Sequence, residues 1–413
     1  AGRYLEAGPR QHSRFVVRLP LRRTGRHIVR VRYPDDRARS CEIATWSPAK
    51  DDRYNAHTGY LCGDPLPVSG TMQTFDFVMW ARDTSQCLVF TSWLEGPPAA
   101  AARIQVFEQS GRLPAAAFAA SASQRLIGHY WEDAQPMSRC FSGGKPELGD
   151  FERAANEMCD YLDYSGQNLV MHPLVWYEGP IYNSLAEARG GKGGFHMPTE
   201  GWVDILLERF EERYFTFFGL FNVHELPSLV RATEDSFERV VAGAGTFNTV
   251  TRQNDLLVKT WHHQAAAFNA LHPAVQGRVV ALVAEIAERY GGSPAFGGIG
   301  FHLTLAQLLL PGFLDVSYDD WTVGEFARQT GVRVPAMGTD PVRFGRRHDW
   351  LKTNAWERWL TWRCEQTAAF YVRAADRLRE ERGDLKLVVT ILEPPMSIID
   401  AQREQWLDGM PQT

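Results

Sequence analysis

The sequence predicts a multidomain β plus α/β protein: an N-terminal β-sandwich followed by a TIM-type (β/α) barrel that stops short of closure. Three observations carry this expectation. Up to residue 110 the chain is a series of short, partly alternating apolar runs broken by turn residues, as sandwich strands are. From Asp150 the period changes, and amphipathic helical patterns alternate with short runs apolar on both faces, as buried parallel strands read. Acidic and aromatic residues then fall just past the ends of those runs, where barrels place their chemistry. With 413 residues and 44% hydrophobic content, the chain can bury two cores.

The sandwich is expected over 1–110, with strands at 14–19, 27–33, 40–46, 71–80, 86–92 and 103–107. In HIVRVRY, Val29, Val31 and Tyr33 point one way while Arg30 and Arg32 point the other. Turns fall at Pro34-Asp35-Asp36, Gly63-Asp64-Pro65 and Gly96-Pro97-Pro98. The basic run Arg22, Arg23, Arg26 and Arg30 reads as a solvated strand edge. Residues 111–149, rich in Ala, Ser, Pro and Gly, read as a linker, although HYWEDAQP within it is aromatic enough to pack against a neighbour.

The barrel is expected over 150–413. Asp150 caps a helix whose inner face is Phe151, Ala155, Met158 and Leu162. A strand at 168–176 ends before Glu178, a helix at 202–213 turns Trp202, Leu206, Leu207 and Phe210 inward, and a strand at 215–223 ends at His224 and Glu225. Residues 227–272 show no clear period beyond a short strand at 247–251. Pro273 then starts a helix with Val275, Val279, Leu282 and Ile286 on one face, stopped by Gly291 and Gly292. The strand at 296–303 comes next, then a helix from Asp319 or Asp320 to Gly331. A long helix from Asn354 ends at Gly383, and a buried strand at 385–392 leads to Glu393. A closed barrel needs about 250 residues, and with such long loops the expectation is that the native chain continues beyond Thr413.

A net charge of -5 argues against a nucleic-acid partner, which requires a clustered basic face. No apolar run approaches the ~20 residues of a membrane span, and the opening AGRYLEAGPR lacks both Met and a signal-peptide pattern, the start of a mature form or a fragment. Six cysteines at 41, 62, 87, 140, 159 and 364 form no C-x-x-C pair and read as buried free thiols, with one disulfide in the first hundred residues left open. Thirteen Trp, thirteen Tyr and twenty-three Phe suit sugar-stacking clefts as well as large cores. Dinucleotide, P-loop, zincin and serine-hydrolase motifs are missing from the sequence, and GGKGG at 190–194 lacks P-loop spacing.

The stretch FNALHPAVQGRVVALVAEIAERYGGSPAFGGIGF resembles the third helix and fourth strand of the (β/α)8 barrel in glycosyl-hydrolase-like family 10 proteins. YDDWTVGEFARQTGVRVP and WRCEQTAAFYVRAADRLREERGDLKLVVTIL are similar to the next part of that barrel in a subgroup of these large bacterial proteins. VVRLPLRRTGRHIVRVRYPDD resembles the sandwich that leads it. The resemblance runs from about Phe15 to Leu392. It implies a carbohydrate-active protein, outside the cell or in its envelope, with an oligomer or a larger assembly left open. The sequence departs from the family where the fourth strand ends in acids: His302 and Leu303 stand there, and Gly297 replaces an earlier Asp.

Glycoside hydrolysis requires two carboxyl groups flanking the scissile bond, one of which keeps its proton. Glu178, Glu225 and Glu393 are the expected catalytic residues, each at a strand end. Trp176, Tyr177, His224, His302, Asp319 and Trp261 are the expected substrate-binding residues. Asp315 and Asp320 are further carboxyl candidates, although Asp319 and Asp320 also suit helix caps. His262 and His263 lack a third ligand at a telling spacing, so no metal and no cofactor is expected. The competing expectation is a barrel that binds glycan or builds an assembly without catalysis, which the missing acid at His302 favours.

Overall fold

The structure is a computed structural model that describes residues 3–48, 52–63, 66–116, 125–131, 141, 147–189, 200–233, 236–243, 247–257, 266–303, 308–309, 314–335 and 338–391. It divides into two compact units, one of residues 1–127 with 135–168 and one of 128–134 with 169–413.

The first unit holds β1 (Leu5–Glu6), β2 (Arg14–Arg18), β3 (Gly25–Asp35), β4 (Arg39–Ser47), β5 (Asp52–Cys62), β6 (Thr71–Ala81), β7 (Cys87–Ser92), β8 (Ala100–Ala101) and β9 (Arg103–Glu108). Two antiparallel sheets, ordered β2-β7-β4-β5 and β6-β3-β9, enclose a core that includes Val29, Val31, Ile43, Met79, Leu88 and Phe90. Alternation in β3 does what the sequence requires: Val29 and Val31 are fully buried while Arg30 pairs with Asp76 at 2.8 Å. Arg26 and Arg30 do not lie on a strand edge, because β3 is the middle strand of its sheet, while Arg22 and Arg23 precede that strand and are exposed. Arg26 binds Glu157 and Asp160 on α1 (Leu148–Ser165), whose Tyr161 and Tyr164 pack with Ile28, Val78 and Trp80. That helix, expected to open the barrel, belongs to the first unit, because its acids hold Arg26 and its tyrosines cover this sheet. Cys41, Cys62, Cys87 and Cys159 are buried free thiols and Cys364 is an exposed one.

The second unit begins with β10 (Gly128–Tyr130), which lies inside the stretch expected to be a linker. It then contains β11 (Leu169–Tyr177), β12 (Gly179–Pro180), α2 (Trp202–Arg213), β13 (Thr216–Val223), α3 (Pro227–Ala232) and α4 (Phe237–Val241). Next come α5 (Pro273–Tyr290), β14 (Phe296–Leu303), α6 (Asp320–Thr330), α7 (Arg343–Asn354), α8 (Trp356–Glu381) and β15 (Lys386–Ile391). Strands β10, β11, β13, β14 and β15 pair in that order, all parallel. Among the described residues this is a half-barrel sheet rather than a closed ring. Strand β15, expected to be buried, is half open: Val389 is 39% and Ile391 68% exposed.

One face of the sheet meets helices. Phe217 packs on Phe210 of α2, and Phe301 on Phe370 of α8. The other face is the inner one, where Met171, Phe218 and Leu220 cluster with Val388. Gly297 lies on a bulge between Phe296 and Gly298, and a Cβ there would fall 2.6 Å from both Phe218 and Thr216. A larger side chain at that position, such as the Asp of the resembled family, would require those two side chains to move.

A separate core builds on α4, α6, α7 and α8, with Tyr318, Phe326, Phe344, Trp359 and Trp362 at its centre. The short strand expected at 247–251 is reduced to isolated bridges, Asn248 to Phe268, Val250 to Leu256 and Thr251 to Val316.

Candidate functional site

The polypeptide turns back on itself at the end of β11. Tyr177 and Glu178 form the two-residue loop of a tight hairpin in which Trp176 pairs with Gly179. Gly179 supplies one left-handed position at φ 139°, but Tyr177 adopts another at φ 44° with a full side chain. Such a conformation is uncommon outside glycine and costs roughly 1–3 kcal/mol, so it persists where surroundings enforce it. Here the Tyr177 carbonyl accepts two backbone N–H groups from the end of β13, His224 at 2.8 Å and Glu225 at 3.0 Å. Two neighbouring strand ends are thereby tied around one oxygen, and the backbones of residues 177–178 and 224–225 lie side by side.

The rings follow the backbone. Trp176 stacks on Tyr177 with centroids 4.4 Å apart, and Tyr177 on His224 at 4.5 Å. Trp176 is 9% exposed, Tyr177 7%, Glu178 6%, His224 5% and Glu225 1%. The rings therefore cover one another and wall the site. They do not present open faces as free sugar platforms, the role the sequence led one to expect of Trp176 and Tyr177. The arrangement offers two carboxyl groups and an imidazole held in a water-poor setting, where charge interactions are stronger than at an exposed surface.

His302 sits on the inner face of β14, opposite Thr390 of β15. Its Nδ1 lies 3.0 Å from the Thr390 hydroxyl and also meets the Tyr130 hydroxyl of β10. The sheet is curled enough for side chains three strands apart to touch. Burial pushes the His302 imidazole down from 6.5 to about 4, so it is neutral at pH 7 and its Nδ1 can accept from either hydroxyl. A base whose folded pKa is depressed adds stability that is complete above the unfolded value of 6.5 and is lost as pH falls towards 4. Melting temperature should therefore fall between pH 6.5 and 4 by more in the native protein than in His302→Asn. Equal slopes would contradict the assignment.

Tyr130 is the residue that sequence reasoning missed, because a three-residue strand in an Ala/Ser/Pro-rich stretch carries no period. Its signal was the aromatic cluster at 129–131.

Asp319 is not at the rim chemistry. Its Oδ1 accepts from the Thr322 backbone N–H at 2.9 Å, and its Oδ2 from the Thr322 hydroxyl at 2.8 Å and the Asn269 amide at 3.0 Å. It is the N-cap of α6 and its acceptor sites are spent on that task. Asp319→Ala should cost about 1–2 kcal/mol of stability, read as a lower urea midpoint. Asp320 binds two fully buried arginines, Arg343 and Arg347, each with contacts at 2.6 Å. Asp315 pairs with Arg252 at 2.8 Å. All three carboxylates are engaged by neighbouring donors. Glu393, Trp261, His262 and His263 lie outside the described residues. Among the described residues no group of three or more His, Cys, Asp or Glu side chains is placed to hold a metal, and no helix is long and apolar enough to cross a membrane.

No family model matches this sequence, and no curated protein matches it. Solved structures give partial likenesses. A β-galactosidase from the psychrophilic Marinomonas ef1 aligns over 64% of this chain and 36% of its own, at 14% identity and TM-score 0.36. A ruminal GH26 endo-β-1,4-mannanase aligns over 97% of this chain and 69% of its own, at 13% identity and TM-score 0.24. A family 35 carbohydrate-binding module from an environmental isolate covers 25% of this chain and 72% of its own, at 10% identity and TM-score 0.21. All three TM-scores are below 0.5, and the functional reading rests on the chain's own residues.

Proposed function

We propose that the second unit is a glycoside hydrolase acting on an oligo- or polysaccharide, with Glu178 and Glu225 as its acid–base pair and Glu393, which follows β15 in the sequence, as a third candidate carboxyl. The observation that carries this reading is the pair of buried glutamates on adjacent strand ends, tied together through the Tyr177 carbonyl. Adjacent strands lie about 4.8 Å apart, so residues past their ends can reach one substrate from neighbouring positions. In the proposed reaction one carboxylic acid gives its proton to the glycosidic oxygen as the bond to the anomeric carbon breaks. The other carboxylate, as base, takes a proton from a water molecule while the oxygen of that water bonds to the anomeric carbon. His224 would hydrogen-bond sugar hydroxyls, and an extracellular or envelope location would suit such a substrate.

The test is release of reducing ends from a panel of glycans by the native protein, repeated with Glu178→Gln and Glu225→Gln. A second reading is favoured by one observation: His302, where the resembled family has acids, is committed to Tyr130 and Thr390. On that reading the unit binds glycan without cleaving it. Binding with no sugar release from any glycan would select it.

A further inference from the structure

The sandwich has a groove of its own. Its volume is about 570 Å³, within the ~300–1,000 Å³ of small-molecule sites. It lies along β4 and the edge strand β5, and it involves no residue of the rim described above.

The groove has a sequence-level cause. Residues 57, 59 and 61 share a face of β5, and Gly59 stands opposite Glu42 of β4. A Cβ on Gly59 would fall 2.1 Å from the Cys41 carbonyl oxygen, so only glycine fits there. Glycine thus lets β4 and β5 approach closely, and no side chain stands between His57 and Leu61 on this face. Around this position stand two kinds of group. Trp93 is 51% exposed, with Leu61 at 45% and Leu66 at 56%. Tyr33 and Tyr60 stack behind them at 3.9 Å. Beside this apolar wall, the Glu42 carboxylate and the His57 imidazole are hydrogen-bonded to each other, and Thr58 adds a hydroxyl.

We infer that this groove is a second saccharide-binding site, in which the apolar face of a sugar ring lies on Trp93 while its hydroxyls reach Glu42 and His57. The chemistry selects among ligands. A wholly apolar molecule would strip water from the Glu42–His57 pair without replacing its hydrogen bonds, which is costly. A phosphate-bearing ligand would meet the Glu42 carboxylate. A pyranose has what the groove asks for, an apolar ring face bordered by hydroxyls that donate and accept. The proposal shares a ligand class with the hydrolase reading and does not depend on catalysis at the rim.

The test is retardation of the full chain in native gels cast with soluble mannan, xylan, β-glucan or galactan. At least one of these should retard the native protein. Trp93→Ala should weaken that binding at least about tenfold, the equivalent of ~1.4 kcal/mol, with an unchanged melting temperature because Trp93 is half exposed. Glu42→Gln should weaken it too. The Glu178→Gln/Glu225→Gln protein should still be retarded. Retardation of Trp93→Ala equal to native would overturn the inference, as would a panel in which no polysaccharide retards the chain. Loss of retardation only in the rim double variant would place the glycan at the rim, overturning this site while leaving the hydrolase reading intact. Sugar release is scored separately, so failure of either claim is read without the other.

Discussion

Glu178→Gln and Glu225→Gln are each expected to slow sugar release by about 10²–10⁴-fold, the contribution of a positioned acid or base. Glutamine keeps the shape of the side chain, so the hairpin at Tyr177 and its two backbone hydrogen bonds from β13 stay in place. The loss should appear in kcat with little change in KM, because the proton transfer is made only in the transition state. Glu178 and Glu225 would act as one unit, so the double variant should be scarcely slower than the worse single one. Full activity in both single variants would remove these residues from the chemistry and pass the role to Glu393. A loss confined to KM would make them binding groups.

Gly298→Ala should destabilise the second unit by at least about 3 kcal/mol, lowering its melting temperature by roughly 6–12 °C. Gly298 has φ 133°, a conformation closed to other residues, and its missing Cβ would lie 2.0 Å from the Lys386 carbonyl oxygen on β15. Neither the φ nor the neighbouring strand can yield without breaking the pairing of Gly298 with Lys386. Gly324→Ala, in the interior of α6 with nothing within 4 Å of its Cβ position, is the internal control and should be neutral or stabilising by up to about 1 kcal/mol. Equal melting of the two variants would mean that the β14–β15 pairing is not as described.

The parts of this fold that were legible in the sequence are those where one period dominates. Val29 and Val31 against Arg30, and the α5 face of Val275, Val279, Leu282 and Ile286, are local patterns with one solution, and all of these apolar residues are buried. Assignments failed where tertiary partners decide. Helix α1 has the apolar face expected of it, but its place was set by Glu157 and Asp160 meeting Arg26, a pairing across more than a hundred residues of chain. Strand β10 is too short to show alternation, and its membership of the sheet comes from pairing with Leu169–Tyr177. At the site, position past a strand end picked out Glu178, His224 and Glu225 as candidates, and the backbone places them past the ends of the paired strands β11 and β13. It misjudged the aromatics, because exposure depends on what stacks on a ring, and Trp176 and Tyr177 stack on each other. Asp319 was ambiguous for a plain reason: the same carboxylate at the start of a helix serves a cap or a substrate, and Asn269, remote in sequence, settles which.

The carboxyl ends of the parallel strands are held to bind the substrate to be cut, and everything proposed for the second unit depends on that. A crystal structure of the Glu178→Gln protein soaked with an oligosaccharide that retards it tests this most directly. The expected result is a sugar chain across the ends of β11 and β13, with a glycosidic oxygen within hydrogen-bond reach of residue 178 or Glu225. Sugar found solely on the sandwich groove, or at the amino ends of the strands, would contradict it.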